Sequence, residues 1–117
     1  MRDFRELKVW EKAHLLTLKI YNVTKGYPKE ELYGLTSQIR RACVSIPTNI
    51  AEGCVRSSDA DFARFLYIAL GSTSELEYLI VLSNDLKFIE NKLQVELKNE
   101  INEIKKMLIT LIKKLKA

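Results

Sequence analysis

The stretch that decides the fold is Leu35–Gly53, LTSQIRRACVSIPTNIAEG. Its apolar residues recur at steps of three and four, the spacing of a helix face packed in a bundle. Pro47 interrupts this pattern, because a proline inside a helix deprives the carbonyl of Cys43, four residues back, of its donor and costs about 3 kcal/mol. The pattern predicts a helix that is bent at Pro47 and leaves the Cys43 carbonyl free for another partner.

Three other segments repeat the helical spacing, and only four glycines and two prolines interrupt the chain. The expected helices span approximately 4–25, 29–54, 59–86 and 92–116. The predicted inward face of the first helix consists of Leu7, Trp10, His14, Thr17, Leu18 and Tyr21. That of the second helix consists of Leu35, Ile39, Cys43, Ile46, Ile50 and Gly53. That of the third helix consists of Phe62, Phe65, Ala69, Leu76, Leu79 and Ile80. That of the fourth helix consists of Leu93, Leu97, Ile101, Ile104, Leu108, Leu111 and Leu115.

No stretch alternates apolar and polar residues as a strand does. The sequence therefore predicts an all-α fold, with residues 1–117 forming a single up-down-up-down antiparallel four-helix bundle whose second helix is bent by its proline.

Composition and charge place the chain among compact globular proteins. Apolar residues make up 47% and charged residues 29% of the 117 residues, which argues against long disorder. The chain has no apolar run of about 18 residues, and its charged start, MRDFRELKVW, is unlike a secretory signal. Cys43 and Cys54 lie about 16 Å apart on one helix, too far for a disulfide. We expect reduced thiols, no membrane and a cytoplasmic location.

A polar stripe runs beside the apolar face of the second helix and continues on the third. Its expected members are Gln38, Ser45, Asn49, Glu52, Ser72 and Glu75. The small residues Ala69 and Gly71 would let the two helices approach closely, so that the stripe fixes register between helices or between subunits. A buried Glu52 would need a partner, and Arg56 one turn on is a candidate.

Apolar residues also fall outside the inward faces. Ile109 points outward, flanked by Met107 and Ile112, and the segment Leu76–Leu82 (LEYLIVL) is apolar almost all round. A helix that is apolar on every side is usually covered on every side, which in so small a bundle requires a second chain. We therefore expect a homo-oligomer, although scattered exposed apolar side chains also occur on monomers.

No set of residues in the sequence names a chemical reaction. A single Glu-x-x-His run ends at His14, whereas a di-iron bundle needs two such runs and the chain has one histidine. Cys43 and Cys54 have no neighbouring zinc ligands, and no phosphate-binding glycine loop or nucleophile–base set is present. We expect no enzyme, metal or cofactor, and we place His14 in the core or at an interface.

The net charge of +4 comes from the end of the fourth helix, where residues 105–117 hold five lysines and no acid. These lysines either contact phosphates or simply suit a helix end and its dipole. They are Lys105, Lys106, Lys113, Lys114 and Lys116. Arg40 and Arg41 form a second candidate, since no acid lies between Leu32 and Ala51; they either bind nucleic acid or form salt links between subunits.

A family resemblance rests on four runs. ELYGLTSQIRRACVSIPTNIAEG (31–53) and FARFLYIALGSTSELEYLI (62–80) resemble the four-helix bundle proteins encoded in intervening sequences of bacterial 23S ribosomal RNA genes. FRELKVWEKA (4–13) and GYPKEELYGL (26–35) fit the same pattern. The resemblance covers nearly the whole chain and is least specific in the fourth helix.

The resemblance implies bundles that assemble into rings, typically of five subunits, with no catalytic activity attached to the family. A related branch serves diversity-generating retroelements, where a basic bundle pentamer works with a reverse transcriptase and nucleic acid. We therefore expect a non-catalytic homopentamer that binds RNA or DNA as an accessory or adaptor protein. The alternative is a scaffold that binds a partner protein and no nucleic acid.

Overall fold

The computed structural model describes residues 2–116, and its four α-helices confirm the predicted all-α bundle. Successive helices pack against one another, and the last packs more lightly against the first, as in an up-down-up-down antiparallel bundle. The helices are α1 (Lys8–Thr24), α2 (Leu35–Cys54), α3 (Asp59–Asp85) and α4 (Asn91–Lys116).

The first two helices begin later than the predicted ranges, because a short 3-10 turn precedes each of them. Before α1, the Asp3 carboxylate accepts a hydrogen bond from the Arg5 amide and caps the turn Phe4–Glu6. Before α2, Glu31 closes a similar turn, and its Oε1 accepts a hydrogen bond of 3.1 Å from the Leu35 amide. This carboxylate therefore caps α2.

The core is contributed by all four helices, and the predicted faces of α2 and α3 meet at its centre. Ile46 and Ile50 of α2 and Phe62 of α3 are completely buried. Gly53 is buried at the same contact, and a Cβ added to it would lie 2.7 Å from Cδ1 of Phe62 and 3.0 Å from Cβ of Phe65. Glycine is thus required here for the close approach of the two helices.

The inward face predicted for α1 is wrong. Leu18 and Tyr21 are 55% and 40% exposed, and His14 is also exposed, with its ring stacked 5.0 Å from that of Trp10. This helix carries two apolar stripes, and burying the second would remove the polar atoms of His14 and Tyr21 from water. The stripe that faces the bundle consists of Val9, Ala13, Leu16, Ile20 and Thr24.

The inward face of α4 follows the prediction in the middle of the helix and differs toward its ends, where Leu93 and Leu115 are only partly buried. Ile112, which was expected to point outward, is 4% exposed, whereas Leu111 is only partly buried. Ile109 points outward as predicted and is 40% exposed.

Helix α2 continues through the buried Pro47 without interruption. Asn49 donates a hydrogen bond of 2.8 Å to the carbonyl of Ser45, not to that of Cys43. The predicted bend, and the predicted second partner of the Cys43 carbonyl, stay predictions.

Helix α3 begins at a predicted cap and ends in a Schellman turn. Oγ of Ser58 accepts a hydrogen bond of 3.1 Å from the Asp61 amide, as the sequence indicates. At the other end, the Phe88 amide donates to the Ser83 carbonyl at 2.9 Å, and Lys87 has a left-handed backbone with φ of 65°.

By length and composition alone, α3 is the one helix within residues 2–116 that could cross a membrane. The central helix of a bundle has the same composition, and α3 contacts both α2 and α4. Its apolar character is therefore weak evidence for a membrane span.

Both ends of the described chain lie at the α2–α3 turn. The Arg2 amide donates to the Cys54 carbonyl at 3.0 Å, and the Arg2 guanidinium lies 4.7 Å from the centre of the Phe62 ring. Nζ of Lys116 lies 5.2 Å from the centre of the Tyr67 ring, near the start of α3. An even number of antiparallel helices produces this arrangement.

Candidate nucleic-acid interface

The five lysines of α4 do not form one cluster. Lys105 pairs with Glu77 of α3, with Nζ 2.6 Å from Oε1, and Lys116 donates to the Tyr67 hydroxyl at 3.2 Å. Lys106, Lys113 and Lys114 are exposed and form no ion pair within residues 2–116. Three of the five predicted lysines are therefore available to an external anion.

Lys106 and Lys114 border a groove of about 390 Å³ between the start of α1 and the end of α4. We call it the lysine groove. Lys8 of α1 adds a third ammonium group to its rim. The groove is lined by Leu7, Lys8, Val9, Lys106, Met107, Thr110, Leu111 and Lys114.

Among residues 2–116 no acid lines the lysine groove, and two acids further along the contact between α1 and α4 are paired with lysines. Lys12 lies 2.7 Å from Glu103, and Lys19 lies 2.8 Å from Glu100. The sequence alone did not identify Lys8, because only the antiparallel topology brings the first turn of α1 beside the last turns of α4. The signal for this site in the sequence was a lysine in the first turn of α1, which an antiparallel bundle places opposite the basic end of α4.

The two arginines of α2 have different environments. Nε of Arg40 donates to Oγ1 of Thr24 at 2.9 Å, and the Arg40 guanidinium lies 4.7 Å from the centre of the Tyr21 ring. Arg40 thus fastens α2 to the end of α1. Arg41 is exposed and makes no ion pair within the described chain.

Arg41 lies in a second groove, which we call the α2 groove, of about 620 Å³ along the outward side of α2 and the end of α1. None of its ten lining residues is acidic. Tyr33 stands at its mouth and is 93% exposed. Hydroxyl and amide groups line the floor, contributed by Ser37, Ser45, Thr48 and Asn49.

The structure brings together five of the six residues of the predicted polar stripe: Gln38, Ser45, Ser72 and Glu75 line one pocket between α2 and α3, and Asn49 is hydrogen-bonded to Ser45. Oγ of Ser72 donates to Oγ of Ser45 at 2.8 Å, and the Asn49 amide donates to the same oxygen at 3.0 Å. Three members form no hydrogen bond with the stripe, and all are exposed: Gln38, Glu52 and Glu75. The stripe therefore joins α2 to α3 through a single hydrogen bond, the Ser45–Ser72 bond.

Two expectations attached to the stripe are wrong. Glu52 is exposed and needs no buried partner, and Arg56 lies instead 4.0 Å from Asp61 and 4.3 Å from the centre of the Phe65 ring. Gly71 does not mediate close packing within the chain, because a Cβ added to it would meet no atom within 4 Å. It lies on the outer side of α3, a helical step of about 100° from Ser72.

Cys43 and Cys54 are buried free thiols, and Sγ of Cys43 donates a hydrogen bond of 3.5 Å to Oγ1 of Thr17. Burial raises the pKa of the Cys43 thiol to about 11, and burial also raises the pKa of the Cys54 thiol. A thiol with a raised pKa is a poor nucleophile at neutral pH. Within residues 2–116, no three His, Cys, Asp or Glu side chains group closely enough to hold a metal ion.

A solved structure closely resembles this chain. It is the 1.70 Å crystal structure of a protein of unknown function from the S23 ribosomal protein family of Bacteroides thetaiotaomicron VPI-5482. The two chains are 33% identical, with a TM-score of 0.83, over 90% of this chain and 95% of that one. No curated protein sequence matches the chain.

A family match covers most of the sequence. The family described as 23S rRNA-intervening sequence protein matches residues 5–110. This range includes all of α1, α2 and α3 and most of α4. It also includes the runs on which the resemblance was based, except Phe4 at the start of the first run, and the S23 neighbour has the same bundle. The chain therefore belongs to the 23S rRNA-intervening sequence protein family.

Proposed function

We propose that this protein is a non-catalytic, self-associating bundle that binds nucleic acid through phosphate contacts of the lysine groove. The observation that carries the proposal is the convergence of unpaired ammonium groups from the two ends of the chain. Lys8 comes from α1, and Lys106 and Lys114 come from α4. Exposed lysines without acidic partners contact phosphates and release counterions.

Self-association would multiply these contacts. The outer side of α3 exposes Ile68 and Tyr78, at 43% and 61%, and Ile109 lies exposed on α4. The second stripe of α1 adds Leu15 and Leu18, each 55% exposed. Covering these side chains with further copies would repeat the lysine groove once per subunit, so weak phosphate contacts would act together. A ring, most simply a pentamer, fits this proposal.

Fluorescence anisotropy at several salt concentrations tests the phosphate contacts. The double variant Lys106→Glu/Lys114→Glu should weaken binding to mixed-sequence RNA and DNA about equally, because phosphate contacts carry no base information. Removing two contacts should flatten the log–log salt slope by about 2 per chain. The matched control is Lys87→Glu/Lys92→Glu, which changes the net charge equally at the opposite end of the bundle.

Two results would contradict the phosphate contacts. If both double variants lose affinity equally, net charge and not the lysine groove attracts nucleic acid. If the wild-type protein shows no salt-sensitive binding at low ionic strength, the nucleic-acid function fails and a protein-binding scaffold replaces it.

Light scattering at micromolar concentration tests self-association. We expect a mass that is a multiple of 13.5 kDa. The variant Ile68→Lys/Tyr78→Lys should reduce that mass without loss of helix, because both side chains are exposed in the single chain. A wild-type mass of 13.5 kDa would refute the ring.

A further inference from the structure

We infer that the α2 groove binds unpaired nucleotides, with a base on Tyr33 and a phosphate on Arg41, so that the protein prefers single-stranded nucleic acid. This inference rests on the proposed function and names its substrate class. It concerns a different surface from the lysine groove, since the α2 groove follows the outward side of α2.

Aromatic surface in the α2 groove is accessible to a base. The Tyr33 ring is 93% exposed and follows directly the turn that caps α2. The Arg40 guanidinium, held by Thr24 over the Tyr21 ring, presents a second flat surface in a fixed orientation. Bases stack on tyrosine rings and on guanidinium planes without regard to sequence.

The charge of the α2 groove is complementary to phosphate. Arg41 forms no ion pair within residues 2–116, and no acid lines the α2 groove. Glu75 of α3 lines a neighbouring pocket together with Arg41 but is not paired with it. The nearest acid before it in the chain, Glu31, is held at the helix cap by the Leu35 amide. Glu52, one turn beyond Thr48, lies past the end of the groove. A strand would therefore meet positive charge at the Arg41 end.

The geometry favours a single strand over a duplex. The outward residues of α2 in this groove stand four, three and four positions apart and so form one line of about 16 Å. They are Ser37, Arg41, Val44 and Thr48, and Tyr33 lies in the turn just before the helix. In a duplex the bases are stacked inside the helix and cannot reach Tyr33, whereas the bases of a single strand can turn toward a protein surface. The hydroxyl groups of Ser37 and Thr48 can then accept or donate hydrogen bonds to base edges.

Anisotropy titrations with a short mixed-sequence RNA, single-stranded or annealed to its complement, test this inference. The wild-type protein should bind the single strand about tenfold more tightly. Tyr33→Ala and Arg41→Gln should each weaken single-strand binding about tenfold and leave duplex binding unchanged, because only unpaired bases use the α2 groove. Tyr33→Phe, which keeps the ring, should bind like the wild type.

Photocrosslinking locates the strand directly. A single-stranded RNA that carries bromouridine should crosslink to the peptide that contains Tyr33. Crosslinks confined to α4, equal affinity for single strand and duplex, or full affinity of Tyr33→Ala would each overturn the inference and leave the lysine groove standing. If the wild-type protein binds no nucleic acid at all, the proposed function itself is refuted.

Light scattering of the Tyr33→Ala and Arg41→Gln variants completes the experiment. Both side chains are exposed, so the variants should fold and keep the wild-type mass. A change in mass would identify the α2 groove as an interface between copies of the chain, and the inference would then be wrong.

Discussion

The inward and outward sides of α2 differ in what limits them. On the inward side, Ile50 is fully buried and Gly53 has no room for one additional carbon atom. On the outward side, Arg41 is exposed and forms no ion pair within residues 2–116, and Tyr33, in the turn just before the helix, is 93% exposed. Packing against α3 limits which side chains fit on the inward side. On the outward side no packing limits them, so ligand binding can determine which side chains are present. Substitutions on the two sides should therefore affect different measurements.

The largest difference should come from a matched pair of truncations. Ile50→Ala removes buried atoms and leaves a cavity, so the free energy of unfolding should fall by about 2–5 kcal/mol. Val44→Ala on the outward side, where the side chain is 37% exposed, should cost less than about 1 kcal/mol. Urea denaturation of both variants measures the contrast. Equal losses would mean that the outward side is also packed, by another chain.

Alkaline pH should weaken the inward side through Cys43. Its pKa is about 11 in the folded chain, against an ordinary thiol value of 9.0. Between these values the unfolded thiol loses its proton and the folded one keeps it, so ionisation favours unfolding. This contribution to stability should be complete below pH 9 and lost progressively as the pH rises toward 11, a total loss of about 3 kcal/mol.

Cys43→Ala removes this contribution and should make the decline between pH 9 and 11 shallower. Cys54 should retain a decline of the same sign, because burial raises its pKa as well. Urea denaturation of wild type and variant across this range is the measurement. Parallel curves would show that the Cys43 thiol ionises equally in the folded and unfolded chains.

A pair of glycine substitutions should change stability in opposite directions. In Gly53→Ala the new methyl group would press on Phe62 and Phe65, and we expect a loss of about 1–3 kcal/mol. In Gly71→Ala the methyl group meets no atom of the same chain within 4 Å, so we expect a gain of about 0.5–1 kcal/mol for the dissociated chain. In the proposed assembly Gly71 lies in line with Ile68 and Tyr78 and faces the neighbouring subunit. Thermal unfolding compares the two. A large loss at Gly71 would indicate that a neighbouring subunit packs there.

The smallest effect on stability should come from the outward end of α2. Glu52→Gln removes an exposed carboxylate, so the free energy of unfolding should change by less than about 0.5 kcal/mol. If the α2 groove binds phosphate, the same variant should tighten single-strand RNA binding modestly, about twofold. Anisotropy measures the binding, and tighter binding of the duplex alone would argue against the groove.

Sequence reasoning identified the inward faces of α2 and α3 because their apolar residues form a single stripe on each helix. It predicted the wrong inward face for α1. This helix has two apolar stripes, and the positions of the other helices determine which stripe is buried. Sequence reasoning also overestimated the burial of Glu52, because a position beside an apolar face need not be covered by the next helix. Spacing reports the period of a helix, but not how far a neighbour reaches around it.

The candidate sites show the same limit. Unpaired charge could be located in the sequence at Lys106, Lys113, Lys114 and Arg41. Lys105 is paired with Glu77 and Arg40 is hydrogen-bonded to Thr24, so neither is free to contact a phosphate. These pairings depend on contacts between helices and could not be predicted from the sequence. The contribution of Lys8 depends on topology. The three-dimensional arrangement thus removes some of the predicted basic residues from the candidate sites and adds Lys8.

The position of residues 2 and 116 on the same end of the bundle, near the α2–α3 turn, makes the bundle suited to circular permutation. Arg2 is bonded to Cys54, and Lys116 lies over Tyr67. A short flexible linker from residue 116 to residue 2 could close the chain, and new ends could be opened in the turn at 87–90, where the polypeptide already reverses. The order of the helices would become α4, α1, α2, α3 with every helix contact retained. A fused second copy or a fluorescent label could then be attached at either end of the bundle, leaving the opposite end free.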